Sequence, residues 1–339
     1  MADSRENLMV HGEITDMHAH VYPEGCLAEI VKARPDFSLD SSARGQSLAY
    51  RGSYVMSIPS GQGDLKKRLQ VMDDAGVGIQ VLSVGALNLG WAGSRDLVTA
   101  RTINDGLAAV CREFPRRFQF VAALPSSSHG ALEAELDRAL ALGAVGVGIT
   151  TTVGDYTLDA PELREFWRAL NRHKLLVLVH PTFPPNGPAQ DRGEFLAVGY
   201  LGETAMAATK LILAGVLEEC SDVRLVWSHC GGSLSVVIDR IDRGYKRYES
   251  CLRPPSEYLR RCFYDTASMH GPALDCARAT FGTSALVYGT DEPHVPNGTR
   301  AVLDALRSRR WSEDELEAVL SRNARDLLQR AADQQQKEK

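Results

Sequence analysis

The chain lacks the signatures of a disulfide-stapled, nucleic-acid-binding or membrane-spanning protein. Its seven cysteines show no CxxC spacing, and an odd, scattered set in a long chain argues against a disulfide framework. No lysine and arginine run is interleaved with aromatics, and the formal net charge is -5. Nucleic acid is therefore not an expected partner. No apolar run reads as long enough to cross a bilayer, and the opening MADSRENLMVHGE is polar where a signal peptide needs an apolar centre. The expectation is a cytosolic protein with reduced thiols and no membrane partner. The first apolar run is not followed by GxGxxG, which weakens the reading of a doubly wound, dinucleotide-binding sheet.

What is present is a rhythm. Short runs rich in β-branched residues at 13–21, 79–84, 118–124, 145–151, 175–180, 223–229, 262–267 and 285–290 read as eight strands. Amphipathic or capped segments lie between them at 65–75, 96–114, 130–142, 161–173, 203–220, 233–249, 271–281 and 299–307, with 312–329 as a final helix. Pro161 with Glu162 opens one helix, Gly143 stops another, and Ser312 with Glu315 forms a capping-box pattern. Strands alternating with helices predict an α/β fold of the (β/α)8 TIM-barrel type, one domain over 1–330. Two connections are long: 22–64, an insertion after the first strand, and 181–202 after the fifth. Both are expected to cover the barrel mouth, and the polar tail 331–339 is expected to fray.

Candidate chemistry sits at strand ends. In Asp16-Met17-His18-Ala19-His20 two imidazoles stand two residues apart, a spacing that turns both to one side of a strand. His180 closes LLVLVHP, His229 closes VRLVWSHC, and Asp291 closes ALVYGTDEP. Barrel enzymes carry their active sites at the C-terminal ends of their strands. Imidazole with carboxylate suits one divalent ion, zinc or manganese, in a site that keeps a position open. His18, His20, His180 and Asp291 are the predicted ligands, and His229 stands beside them as the proton-transfer residue. Asp16 reads either as a support for a ligand or as a strand-end aspartate, and Cys230 as packing.

HxH after strand one, HP after strand five, SHCGG after strand six and GTDxP after strand eight resemble the amidohydrolase superfamily. The likeness covers nearly the whole chain. DMHAHVYPEG, RRFQFVAALP, LAGVLEECSDVRLVWSHCGGSL, DRID and FYDTA look most like its decarboxylating branch, with aminocarboxymuconate semialdehyde, 6-methylsalicylate and γ-resorcylate decarboxylases. The resemblance implies a single metal held by the four ligands, with His229 as acid/base and Asp291 in the catalytic set. It further implies that Arg240 binds a substrate carboxylate, reaching a neighbouring subunit's site in a homodimer. AVGVGITTT has no lysine for the carbamate bridge of binuclear relatives. After GTD the decarboxylases often carry an aromatic and then proline, whereas this chain has Glu292, Pro293 and His294.

The expected activity is non-oxidative decarboxylation of a small aromatic or unsaturated carboxylic acid, hydroxybenzoate-like or muconate-like. Arg240, Arg51 from the first long loop and His294 are the expected substrate contacts, the arginines through charge-assisted hydrogen bonds. A metal-dependent hydrolase or hydratase acting on a lactone or unsaturated dicarboxylate is the alternative on the same scaffold. A non-catalytic binding barrel is a third reading, disfavoured by the complete ligand set.

Overall fold

A computed structural model describes residues 13–126, 128–183, 193–267, 269–295 and 297–337. The FPPNGP motif, read as part of a covering loop, falls largely outside them. The chain opens with β1 (Ile14–His20), α1 (Cys26–Ala33), β2 (Phe37–Ser42), β3 (Gly45–Tyr50), β4 (Ser53–Pro59), α2 (Leu65–Ala75) and β5 (Val77–Ser83). It continues with α3 (Asp96–Glu113), β6 (Phe118–Phe120), α4 (His129–Ala141), β7 (Val147–Thr150), a small hairpin of β8 (Thr152–Val153) and β9 (Tyr156–Thr157), α5 (Arg164–Arg172) and β10 (Leu176–His180). The second half holds α6 (Tyr200–Leu213), α7 (Val216–Glu219), β11 (Arg224–Trp227), α8 (Leu234–Gly244), α9 (Pro255–Leu259), β12 (Phe263–Asp265), α10 (Gly271–Phe281) and β13 (Leu286–Val287). Three helices close it: α11 (Gly298–Arg307), α12 (Glu313–Glu317) and α13 (Asn323–Lys337).

The expected α/β alternation is realised as two parallel sheets, ordered β1-β5-β6 and β13-β12-β11-β10-β7. Parallel neighbours need a crossover between them, and the helices supply it. A single bridge pairs Ala122 with Val147, and another pairs Ala19 with Glu292. At that second edge Met17 N donates to Tyr288 O (2.8 Å) and Asp291 N to His18 O (2.8 Å).

Met17, Val81, Val121, Leu176, Val226 and Val287 meet Ala324, Leu327 and Leu328 of α13 in one inner apolar cluster. Period two then aims His180. Leu176 and Leu178 contribute to the cluster, so His180, two residues on, projects to the same side one step nearer the strand's C-terminal end. In β1 the pairing register with β5 shifts between Asp16 and Ala19. Such an irregularity re-aims side chains locally, so Met17 packs inward while His18 and His20 both turn to the site.

Three expectations are corrected. The segment after β1 is not loop: β2, β3 and β4 form an antiparallel meander, with Phe37, Leu48, Val55, Met56 and Ile58 buried in the main core. Its tight turn is carried by Arg51 and Gly52, both at positive φ (49° and 80°), the conformation that two-residue hairpins demand. The tail is helical as far as Lys337, because α13 buries Leu327 and Leu328. Finally, the helical run Phe195–Leu213 is, among the described residues, apolar and long enough by composition to cross a membrane. Ala208 and Leu211 on it are fully packed into the core.

Candidate active site

The five residues singled out at strand ends converge. Ligand atoms of His18, His20, His180 and Asp291 all lie within 4.8 Å of one another. Nε2 of His18 and Nε2 of His20 are 3.0 Å apart. Asp291 Oδ1 stands 2.9 Å from Nε2 of His20, 3.4 Å from that of His18 and 3.9 Å from that of His180. Atoms bound to one ion at about 2.1 Å sit roughly 3 to 4 Å from each other, so the spacing fits a single centre.

The outer nitrogens settle which atoms face inward. His18 Nδ1 pairs with Asp265 Oδ2 (2.8 Å), His20 Nδ1 with Ser83 Oγ (2.9 Å) and His180 Nδ1 with the Pro181 carbonyl (2.6 Å). With each Nδ1 tied off, each Nε2 is left to the centre, the arrangement that orients imidazole ligands. His180 Nε2 is buried and has no hydrogen-bond partner. An orphaned inward nitrogen of this kind costs free energy unless a cation meets it. Three imidazoles and a carboxylate are suitable donors for zinc, manganese or a similar divalent ion.

Burial and charge pull these groups apart. Burial pushes His20 down to about 3 and holds His180 well below the usual imidazole range, so both are neutral. Burial alone would also lower His18, but Asp265 and Asp291 beside it outweigh that and raise it well above its ordinary value. Asp291 is ionised, since the surrounding imidazoles overcome the burial that would raise it. Two acceptor nitrogens, a carboxylate and an imidazole held by two carboxylates form a cavity floor that favours positive charge.

The backbone bends sharply here. His229, Cys230 and Asp291 adopt left-handed φ values of 55°, 54° and 62°, which are rare for residues with side chains and cluster at functional sites. Gly85, at φ 52°, lies where a Cβ would come within 2.9 Å of the His20 ring. A side chain at Gly289 would crowd His18 and Asp265 at 2.8 Å each. Close backbone approach is what these two glycines supply.

His229 Nε2 is 3.3 Å from Asp291 Oδ2, and its Nδ1 is buried without a partner. It borders a cavity of about 400 Å³ together with His180, Asp291 and His294. Tyr54, Met56 and Ser57 of the meander, Tyr200 and Leu201 of α6, and Met269 form its other walls. His294 also bonds Tyr22, its Nε2 lying 2.7 Å from the hydroxyl.

Other expected residues lie elsewhere. Arg51 is 73% exposed at the hairpin tip, over the Tyr50 ring and 3.9 Å from Asp36, and does not line the cavity. The left-handed turn that suits the hairpin carries it away from the strands. Arg240 is exposed on α8 and likewise does not line the cavity of its own chain. Glu292 turns its carboxylate to Thr299 N and Oγ1 at the first turn of α11, an anchor for that helix.

Asp265 was missed by sequence reasoning as a site residue. It ends β12, takes the His18 bond on Oδ2, and on Oδ1 accepts the backbone N–H groups of His229 (2.9 Å) and Ala267 (3.0 Å). The signal was there in FYDTA, an aspartate closing the seventh expected strand. Asp16 is a support rather than a ligand: fully buried, it accepts from His18 N, Thr290 N, Thr290 Oγ1 and Gln80 Nε2. Burial raises its carboxyl to about 6.

A family profile described as Amidohydrolase matches residues 15–330. The chain belongs to the amidohydrolase family. This amidohydrolase is 29% identical over 327 residues to the 2-amino-3-carboxymuconate-6-semialdehyde decarboxylase of Dictyostelium discoideum, covering 92% of this chain and 90% of the relative. It is 31% identical over 192 residues to the γ-resorcylate decarboxylase of Rhodococcus jostii, covering 52% and 58%. Among solved structures, a dihydroxybenzoic acid decarboxylase from a Polaromonas species, with bound manganese and the inhibitor 2-nitroresorcinol, superimposes with a TM-score of 0.73. That match has 20% identity and covers 94% of this amidohydrolase and 97% of the neighbour.

Proposed function

We propose that this amidohydrolase is a divalent-metal-dependent, non-oxidative decarboxylase of a planar aromatic or conjugated carboxylic acid. The observation that carries the reading is the inward set of three imidazole Nε2 atoms, each ring held from behind, and one carboxylate, beside His229 at the floor of a cavity. The decarboxylases to which the chain is similar support the reaction class.

His18, His20, His180 and Asp291 would hold one ion, zinc or manganese. When bound, such an ion supplies Lewis-acid charge to a phenol or enol oxygen of the substrate and to its carboxylate. The chain's own residues do the rest. His229 transfers a proton to the carbon that bears the carboxylate, making that carbon tetrahedral. The carbon–carboxylate bond then breaks, its electron pair restores conjugation, and carbon dioxide leaves. His229 regains its proton from solvent, since an imidazole nitrogen can both donate and accept a proton. Asp265 holds the His229 backbone while fixing the His18 ring, so proton donor and metal floor keep one geometry.

We read the two parallel sheets as one (β/α)8 barrel forming a single domain, because the bridges at both sheet edges and the shared inner cluster support closure. The segment 22–64 covers the mouth, as Tyr54 and Met56 at the cavity wall suggest. Arg240 is assigned to the site of a second copy in a homodimer. Exposed Val236 on the same helix, with exposed Val198 before α6 and Met206 on α6, which packs against α8, supports an apolar contact there. Seven free thiols suit a cytosolic setting.

The test is carbon dioxide release. Manganese-loaded protein offered hydroxybenzoates, methylsalicylates and aminocarboxymuconate semialdehyde should liberate carbon dioxide from at least one. Solvent oxygen appearing in a product without carbon dioxide would replace this reading with hydrolysis or hydration.

A further inference from the structure

Two side chains, His294 on the cavity wall and its neighbour Tyr22, are not used by the metal set or by proton transfer. The Tyr22 hydroxyl lies 2.7 Å from His294 Nε2, and the rings meet edge to face at 5.6 Å. Tyr22 is buried, and among the described residues His294 is the one partner of its hydroxyl. A buried O–H needs an acceptor. His294 Nε2 is the acceptor within reach, so the phenol donates and Nε2 accepts. A neutral imidazole then carries its single N–H on Nδ1. The reverse orientation would seal the phenol proton in the interior without a partner.

Nδ1 has no protein partner among the described residues and is absent from the sealed, unpartnered atoms. His294 borders the cavity that holds His180, His229 and Asp291. The neighbouring wall is apolar, with Met56, Ala86, Leu201, Met269 and Val295. Tyr54, Ser57 and Tyr200 add hydroxyls elsewhere on the lining, but an N–H set among apolar neighbours discriminates strongly, because a ligand that brings no acceptor there leaves it unpaired.

We infer that His294, held in its Nδ1–H form by Tyr22, is a specificity-determining residue that reads a second acceptor oxygen on the substrate. This oxygen is a carbonyl or carboxylate substituent, separate from the carboxylate that is lost and from the oxygen beside it. The inference rests on the decarboxylase reading for the word substrate, but the donor and its direction come from the Tyr22–His294 geometry. It selects planar acids bearing a further oxygen substituent over methyl- or vinyl-bearing ones.

The experiment uses 2-nitrophenols, in which a nitro group replaces the carboxylate so that nothing can be released. Each open ring position carries a formyl group in one series and a vinyl group of the same shape in the other. Binding to the zinc-loaded full chain is measured by calorimetry. At one ring position the formyl compound should bind about tenfold or more tightly than the vinyl compound. That ratio should fall to near one in His294→Phe and shrink in Tyr22→Phe. In parallel, nitrogen NMR of histidine-labelled protein should show His294 as the Nδ1–H tautomer, giving way to a mixture in Tyr22→Phe. Equal affinity for formyl and vinyl at every position, or an Nε2–H tautomer in the unaltered protein, overturns the inference. Formyl preference without carbon dioxide release from any acid would instead overturn the decarboxylase reading and leave the donor assignment standing.

Discussion

Replacing Asp265 by asparagine tests how the metal floor is held. Oδ1 of Asp265 accepts two backbone N–H groups, from His229 and Ala267. An asparagine must therefore keep its carbonyl oxygen there and turn its NH2 group toward His18. A donor would then face His18 Nδ1, where the carboxylate oxygen stood at 2.8 Å. To accept from it, the imidazole has to give up its Nδ1 proton and carry one on Nε2, the atom that faces the centre. One ligand of four is thereby blocked. Loss of an outer partner of a metal-binding histidine costs about 10- to 100-fold in affinity, and the tautomer conflict puts this variant at the upper end. The expected weakening is about 100-fold, or about 2.7 kcal/mol. Competition between the protein and a chromophoric chelator for zinc measures it directly, with a thermal melt to check that the fold is kept. A dissociation constant within about threefold of the unaltered protein's would refute the reasoning.

Further outcomes follow from the same geometry. His229→Gln should lose carbon dioxide release by about 100-fold or more while metal content stays at its normal level; equal turnover would remove His229 from proton transfer. In metal-free protein, His20 takes up a proton only near pH 3 when folded, against about 6.5 when unfolded. The unfolded chain thus binds more protons between those values, and His20 makes stability rise with pH across that window. Denaturant titrations of His20→Gln should show a pH slope shallower by up to about 1.4 kcal/mol per unit between pH 4 and 6; an unchanged slope would contradict a neutral buried His20. Trp167, fully buried on α5 and donating through Nε1 to the Leu158 carbonyl at 2.7 Å, should cost about 3–5 kcal/mol when cut to alanine, seen as a fall in the denaturant midpoint.

The parts of the fold that could be read beforehand are those with a period. Each of the eight expected strands overlaps a strand of the two parallel sheets, because short β-branched runs between amphipathic helices have few other ways to bury their faces. The five candidate site residues were visible for a related reason: each stands at a strand end where imidazole or carboxylate interrupts an apolar run. The meander β2 to β4 was masked by its serines and glycines, although Arg51-Gly52 is a two-residue hairpin turn. Once that turn is recognised, Arg51 reads as a hairpin-tip residue, away from the cavity lining of its own chain. Asp265 was hidden because a second aspartate at a strand end carries no mark of which imidazole it serves; that depends on β12 lying beside β11 and on the backbone after β13 bonding to β1 at Met17 and His18. Glu292 looked like an extra polar group of the site, and only the position of α11 reveals that it caps Thr299.

The central claim is that His18, His20, His180 and Asp291 share one cation. Metal stoichiometry by mass spectrometry, after chelation and reloading with zinc or manganese, tests it most directly. The account predicts one ion per chain in the unaltered protein and none retained through gel filtration in the His20→Ala, Asp291→Ala double variant. No bound ion in the unaltered chain, or equal loading of the double variant, would contradict it.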